Sequence, residues 1–312
     1  MTTRPQRVAF AGLAHSHPDA DARNIRALGG EVVGVFDGDQ AAAAAFARRH
    51  GTASLGSPAD LLALRPDLVI ATPRTHEAAA LVRALRDGVT PVFVNKVVAA
   101  TPAQLDDWSD AADPALVGTS SVLRFAPALA ALRTEVEQDD VLAVRVRAQH
   151  DAAGFRTVER SWQDAPDLGG GILATVGVHA WEMVDVVLPG GRLSTGTGWT
   201  RRAAGSPHSE DAAGLDARVV VAGRAVPVQV SVSGVPGPDA YAIDVVTTGG
   251  LRSCVLDVDD PNTALGFEGL IRALLDASAD GCVVAPWRSA QVVVENTVRA
   301  AQIARAGGGD QW

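Results

Sequence analysis

Five short apolar runs punctuate the first 120 residues, and between them the hydrophobic positions switch to a helical spacing. The runs are "VAFAGL" (8–13), "EVVGVFD" (31–37), "PDLVIATP" (66–73), "PVFVNK" (91–96) and "ALVGTSS" (115–121). Such near-continuous apolar stretches suit strands buried on both faces of a parallel sheet. "DADARNIRALGG", "QAAAAAFARRHG", "SPADLLAL", "HEAAALVRALRDG" and "TPAQLDDWSDAA" read as the intervening helices. Gly29, Gly30 and Gly51 supply stop signals, and Ser57 is a helix cap. Strands alternating with helices of this length predict a doubly wound, Rossmann-like parallel sheet.

The pattern then changes. "VLAVRVRAQH" (141–150) alternates apolar and polar residues, as a half-buried antiparallel strand does. "DARVVVA", "VPVQVSVSG" and "AIDVVTT" repeat that signature between Gly/Pro turns. A glycine-rich turn, "DLGGG", precedes the helical stretch "ILATVGVHAWEMVDVVL", and two further helices close the chain. The expectation is an α/β protein of two domains. Residues 1–120 form the Rossmann domain and residues 121–312 an α/β domain with a large, mostly antiparallel sheet. The closing helix is expected to pack back on the first domain.

With 47% hydrophobic and 20% charged residues, the chain has the composition of a globular protein with a substantial core. A net charge of −9 with dispersed arginines argues against nucleic acid as a partner. No stretch reaches the roughly 20 apolar residues of a membrane span, and no apolar leader is evident, so a cytoplasmic location is expected. Cys254 and Cys282 have neither metal-site nor redox-motif spacing.

The stretch "AGLAHSH" allows two chemistries. As a dinucleotide loop, Gly12 makes the turn after the first strand, and Ala14 and His17 stand where further glycines would occur. Asp37, ending the second strand, is placed to accept hydrogen bonds from ribose hydroxyls, and its charge favours NAD over NADP. As a metal grip, His15 and His17 would need a barrel and further ligands at later strand ends. Of the other histidines, His50 ends a helix and His208 lies in a polar loop, and the helix–strand alternation stops near residue 120. No metal is therefore expected, and His15 and His17 are assigned to the loop and helix start.

Two further residues carry chemistry. Lys96 is the only lysine, and it ends the fourth apolar run, where open α/β sheets place their ligands. A lysine gives up its proton when partly buried, which arginine does poorly. His179 lies within an apolar helical stretch, a costly place for an imidazole without a task.

In order and spacing, "GLAHSH", "VVGVFDGD", "DLVIATPRTHEAAALVRALRDG", "VNKVVAAT", "LRFAPALAALR" and "SWQDAPDLGGGILATVGVHAWEMVD" resemble the glucose–fructose oxidoreductase/inositol dehydrogenase (Gfo/Idh/MocA) family. The resemblance runs from residue 7 to 305. It implies a bound nicotinamide nucleotide and oxidation or reduction of a hydroxyl-bearing carbon on a sugar, cyclitol or related polyol. It also implies assembly as a homodimer or homotetramer through the open sheet face. Lys96 matches the lysine of the family's Glu-Lys-Pro motif, and His179 the histidine of its Asp-x-x-x-His motif. Three positions depart: Asn95 replaces Glu, Val97 replaces Pro, and Thr175 replaces Asp. The resemblance adds Thr72, Pro73, His76 and Asn95 to the cofactor residues Gly12, Ala14, His15, His17, Asp37 and Lys96. Lys96, His179 and Thr175 become the catalytic set, with Thr175 limited to a hydrogen bond. Arg124, Arg156, Arg160 and Trp162 stand where the substrate pocket is expected.

The leading expectation is thus an NAD-dependent dehydrogenase acting on CH–OH groups. A binding protein with impaired catalysis on the same scaffold is the alternative, since all three departures fall in the catalytic motifs. A metal-dependent amidohydrolase is the remaining reading.

Overall fold

The structure is a computed structural model and describes residues 4–203 and 209–311, so His208 lies outside the described residues. The chain divides into two compact units. One comprises the described residues within Met1–Val98, Asp106–Ser120 and Glu268–Ala290. The other comprises those within Ala99–Leu105, Ser121–Phe267 and Gln291–Trp312.

The first unit is built on six parallel strands: β1 (Arg7–Ala11), β2 (Glu31–Phe36), β3 (Ala53–Leu55), β4 (Leu68–Ala71), β5 (Val92–Asn95) and β6 (Val117–Ser120). Their order is β3-β2-β1-β4-β5-β6, which places the topological switch between β1 and β4. Helices α1 (His17–Ala27), α2 (Gln40–His50), α3 (Pro58–Ala63), α4 (Ala78–Ala84) and α5 (Pro102–Ala111) lie between the strands in sequence. Val8, Ala9 and Phe10 of β1 are fully buried, as a central strand covered on both faces requires. Phe10 packs against Phe46 of α2 with ring centroids 5.2 Å apart.

Local chemistry explains several boundaries. Asp39 caps α2 by accepting from the amides of Ala41 and Ala42, and Gly51 ends it in the left-handed region. Ser57 caps α3 through the Asp60 amide. Strand β3 has no apolar run to announce it. Its three residues are exposed or half-buried, and it exists because β2 offers a free edge. The helix expected from His76 onward starts as a 3-10 turn, Thr75–Glu77, before α4.

The second unit holds a seven-stranded sheet of β7 (Val141–Gln149), β8 (Arg192–Arg202), β9 (Ala212–Val221), β10 (Arg224–Ser233), β11 (Ala240–Thr247), β12 (Gly250–Val255) and β13 (Gly309–Gln311). The order is β12-β11-β7-β10-β9-β8-β13, antiparallel except at β7–β10 and β8–β13. The helices of this unit are α6 (Pro127–Val136), α7 (Ser161–Asp164), α8 (Gly171–Thr175), α9 (Gly177–Val187) and α10 (Pro261–Ala264), whereas α11 (Phe267–Ala279) falls in the first unit from Glu268 on and α12 (Trp287–Ala306) in the second from Gln291 on. Every residue of α9 is buried, and the helix lies against β7 and α6. The single helix expected over 172–188 is broken at Val176 into α8 and α9.

One face of this sheet is covered, while the other carries a continuous polar row. Ser253, Asp244, Arg145, Gln229, Asp216 and Thr197 stand opposite one another on six successive strands. Around that row the same face exposes Val246, Trp199, Leu251 and Val255.

Candidate functional site

The carboxyl edge of the parallel sheet gathers most of the residues nominated for the cofactor. Gly12 follows β1 at φ +78°, and its amide donates to Phe36 C=O at 2.8 Å. A Cβ there would lie 3.1 Å from the backbone of Thr72 and Pro73, so only glycine lets the loop run this close to the end of β4. Ala14 N–H donates to Thr72 C=O at 2.9 Å, which fixes the far side of the turn. His15 follows in the loop and His17 opens α1, with their ring centroids 6.2 Å apart.

Asp37, directly after β2, is more than a ribose acceptor in waiting. One carboxylate oxygen accepts from Leu13 N–H at 2.6 Å and the other from Asp39 N–H at 2.7 Å. Each oxygen has a second lone-pair direction, so these bonds orient the carboxylate without exhausting it. The same residue therefore shapes the Gly12 loop and marks the end of β2.

At the end of β5, the side-chain amide of Asn95 donates to Thr72 Oγ1 at 2.9 Å and to Asp21 Oδ2 at 3.4 Å. All three side chains are buried. This explains the departure at Asn95 physically. A glutamate there would bring a second carboxyl group towards the buried Asp21, whereas an amide supplies two donors. Burial pushes the Asp21 carboxyl up to about 7, against the pull of the Asn95 hydrogen bond. Lys96 follows Asn95 and is half-buried, with a cis peptide bond to Val97. Thr72 and Pro73 directly follow β4, and His76 sits in the 3-10 turn beyond them.

The second unit holds His179 in α9. Its Nδ1 lies 2.6 Å from Ser121 Oγ, and its ring packs at 5.4 Å from that of Tyr241 on β11. Ser121 N–H donates to Glu182 Oε2 at 2.9 Å. Arg124 bonds Glu182 through Nε and Asp185 through Nη2, the latter at 2.5 Å. Burial raises the Glu182 carboxyl above its ordinary value while Arg124 opposes it. Thr175 donates its hydroxyl to Gly171 C=O at 2.7 Å, a bond within its own helix.

The other nominated pocket residues sit in mixed surroundings. Arg156 pairs with Asp211 and lies 4.0 Å from Asp164. Arg160 donates to Gln163 at 2.7 Å with its guanidinium over Phe155, and Trp162 is buried. Among the described residues no group of three His, Cys, Asp or Glu side chains is placed to hold a metal ion, and no helix is long and apolar enough to cross a membrane. The open sheet around β1 is also not the barrel that a metal-dependent hydrolase reading needs.

Residues 6–121 match the Gfo/Idh/MocA oxidoreductase family, described by its NAD-binding Rossmann fold. That match covers the first six strands and the helices between them, so this stretch is similar to the NAD-binding domain of that family. The residues at this edge fit such a cofactor: the Gly12 turn at the switch point, the oriented Asp37 carboxylate, and no basic side chain at Gly38 or Asp39 to receive a 2′-phosphate. No curated protein matches the chain. Solved structures extend the likeness over both units. GenD2 from gentamicin A biosynthesis, crystallised with NAD, shares 18% identity at a TM-score of 0.78, covering 98% of this chain and 95% of that one. A myo-inositol dehydrogenase from Corynebacterium glutamicum shares 16% at 0.76, covering 97% and 98%. The UDP-N-acetylglucosamine 3-dehydrogenase of Acidithiobacillus ferrooxidans shares 16% at 0.75, covering 98% and 99%. At these identities the likeness establishes the fold.

Sequence reasoning missed Asp21, Ser121 and Tyr241. Tyr241 carried a signal, being the only tyrosine and in phase with Ile243 and Val245 on the covered face of β11. Ser121 carried a weaker one, as the cap of the 3-10 turn Val122–Phe125. Asp21 carried none, because its partner is distant in sequence.

Proposed function

We propose that the chain is an NAD-dependent oxidoreductase transferring a hydride between nicotinamide and a hydroxyl-bearing carbon of a sugar, cyclitol or related polyol. Residues 1–120 serve as its nucleotide domain and 121–312 as its substrate and assembly domain. The observation that carries this reading is the convergence of Gly12, Asp37, Thr72, Asn95 and Lys96 on the carboxyl edge of one parallel sheet at its switch point. The substrate class follows the names of the structural relatives, which include dehydrogenases of a cyclitol and of a nucleotide sugar.

When bound, the dinucleotide supplies the hydride acceptor or donor. The chain's own residues do the rest. The Gly12 loop and the α1 N-terminus hold the pyrophosphate, with Ala14, His15 and His17 along that wall. Asp37 accepts the ribose hydroxyls, and Thr72, Pro73, His76 and Asn95 complete the groove. Lys96 and His179 hold and move the proton of the substrate hydroxyl, and Thr175 contributes a hydrogen bond only. The open face of the large sheet joins copies into a homodimer or homotetramer.

Lys96→Met tests the reading. NAD binding, followed by calorimetry, should persist. Turnover of a panel of sugars and cyclitols, followed by nicotinamide absorbance, should fall by roughly 10²–10⁴-fold. Unchanged turnover would remove Lys96 from the mechanism, and NAD binding without turnover by the wild type would leave a binding protein.

A further inference from the structure

The hydrogen-bond arithmetic around Ser121 determines which nitrogen of His179 carries the proton. A serine hydroxyl has one hydrogen to donate and two lone pairs to accept with. Ser121 Oγ already accepts from Leu123 N–H at 3.1 Å. Its other partner among the described residues is His179 Nδ1, at 2.6 Å. Ser121 is fully buried, so water cannot take its hydrogen, and a buried donor without an acceptor is disfavoured. If Nδ1 carried a proton, Oγ would accept twice and its hydrogen would have no acceptor. If Nδ1 is the acceptor, both the hydroxyl and the ring nitrogen are satisfied.

We infer that Ser121 is a positioning residue that holds His179 as the neutral Nε2–H tautomer, so that His179 meets its substrate as a hydrogen-bond donor. The bias towards that tautomer is on the order of tenfold or more, the scale set by one buried unsatisfied donor. Ser121 is itself anchored. Its amide donates to Glu182, one turn along the helix from His179, and Arg124 braces Glu182 from the other side. The tilted Tyr241 ring packs against the imidazole.

An aspartate partner would only accept, and would draw the proton to Nδ1, freeing Nε2 as a base. A hydroxyl partner does the reverse here because its second valence is filled by Leu123. The catalytic consequence rests on the reading given under Proposed function. Lys96 then serves as base when a hydroxyl is oxidised, and His179 presents Nε2–H to the substrate oxygen. The group facing His179 must therefore be an oxygen with a free lone pair, a carbonyl or hydroxyl rather than an ammonium.

The tautomer is read directly from imidazole ¹⁵N shifts and two-bond ¹⁵N–¹H couplings of the full-length protein, with His179 signals assigned by their loss in His179→Gln. The expected result is an unprotonated Nδ1 and a protonated Nε2 in the neutral ring. Ser121→Ala should mix the tautomers, and Ser121→Thr, which keeps the hydroxyl, should restore the wild-type pattern. In turnover, Ser121→Ala should lower kcat more than it raises KM. A protonated Nδ1 in the wild type, or an unchanged His179 spectrum in Ser121→Ala, overturns the inference. Should Ser121→Ala fail to fold, the wild-type spectrum alone decides. None of the spectra requires a substrate, so failure of the dehydrogenase reading would show separately, as absent turnover with the tautomer as stated.

Discussion

The side-chain amide of Asn95 reaches Asp21 Oδ2 at 3.4 Å, and the other carboxyl oxygen of Asp21 is buried without a hydrogen-bond partner among the described residues. Burial lifts this carboxyl from 3.8 to about 7. The sign follows from proton counts: between those values the native chain holds a proton that the unfolded chain has released, so stability falls as pH rises through the window. The full penalty, reached above the native value, is at most about 4 kcal/mol, since a tenfold change in proton affinity is worth about 1.4 kcal/mol. Asp21→Asn removes the titration. In urea unfolding at pH 5 and pH 8, the wild type should lose more stability between the two than the variant does. Parallel curves would show that Asp21 titrates normally.

Gly12 combines a left-handed backbone with a position at which a Cβ would stand 3.1 Å from the backbone of Thr72 and Pro73. Gly12→Ala should therefore lower stability by about 1–3 kcal/mol and weaken NAD binding as well. A variant that unfolds at the wild-type midpoint and binds NAD equally well would refute this account of the turn.

Among the described residues Arg124 is the cation paired with Glu182, which is 1% exposed in its side chain. Removing it in Arg124→Met should cost about 3–5 kcal/mol, because an uncompensated carboxylate is left buried. The double variant with Glu182→Gln should recover part of that loss. Chemical denaturation of the two single variants and the double variant measures the coupling, and strict additivity would count against the pairing.

Val246 is 43% exposed on the open sheet face, beside the polar row through Asp244, Arg145 and Gln229. Under the assembly proposed above, Val246→Asp should shift the protein towards monomer in light scattering, with NAD binding unaffected. A monomeric wild type would overturn the proposed assembly, and an unaltered oligomer in the variant would move the interface elsewhere.

How much of the fold and the site is legible in the sequence depends on whether the signal is local. The parallel strands announce themselves as apolar runs, and β7, β10 and β11 as alternations, since burial on two faces or one leaves those patterns. Strand β3 escapes because an edge strand of three residues needs no apolar face. The break at Val176 escapes because the stretch remains apolar across it. Among the proposed site residues, Gly12, Asp37, Lys96 and His179 stand out by type and position alone. The partners that tune them do not. Asp21 meets Asn95, and Ser121 meets His179, only after the chain has folded, and neither pair lies at a spacing that periodicity can detect.

Lys96 has a practical consequence that follows from its place and its solitude. It is the only lysine side chain, and it stands half-buried at the carboxyl edge of the nucleotide sheet. Reductive ¹³C-methylation of amines would therefore put a single side-chain reporter into the protein, at the position where the chemistry is proposed, separable from the α-amine by its loss in Lys96→Met. Cofactor entry, substrate entry and the lysine's own titration could then each be followed as the movement of the Lys96 resonance.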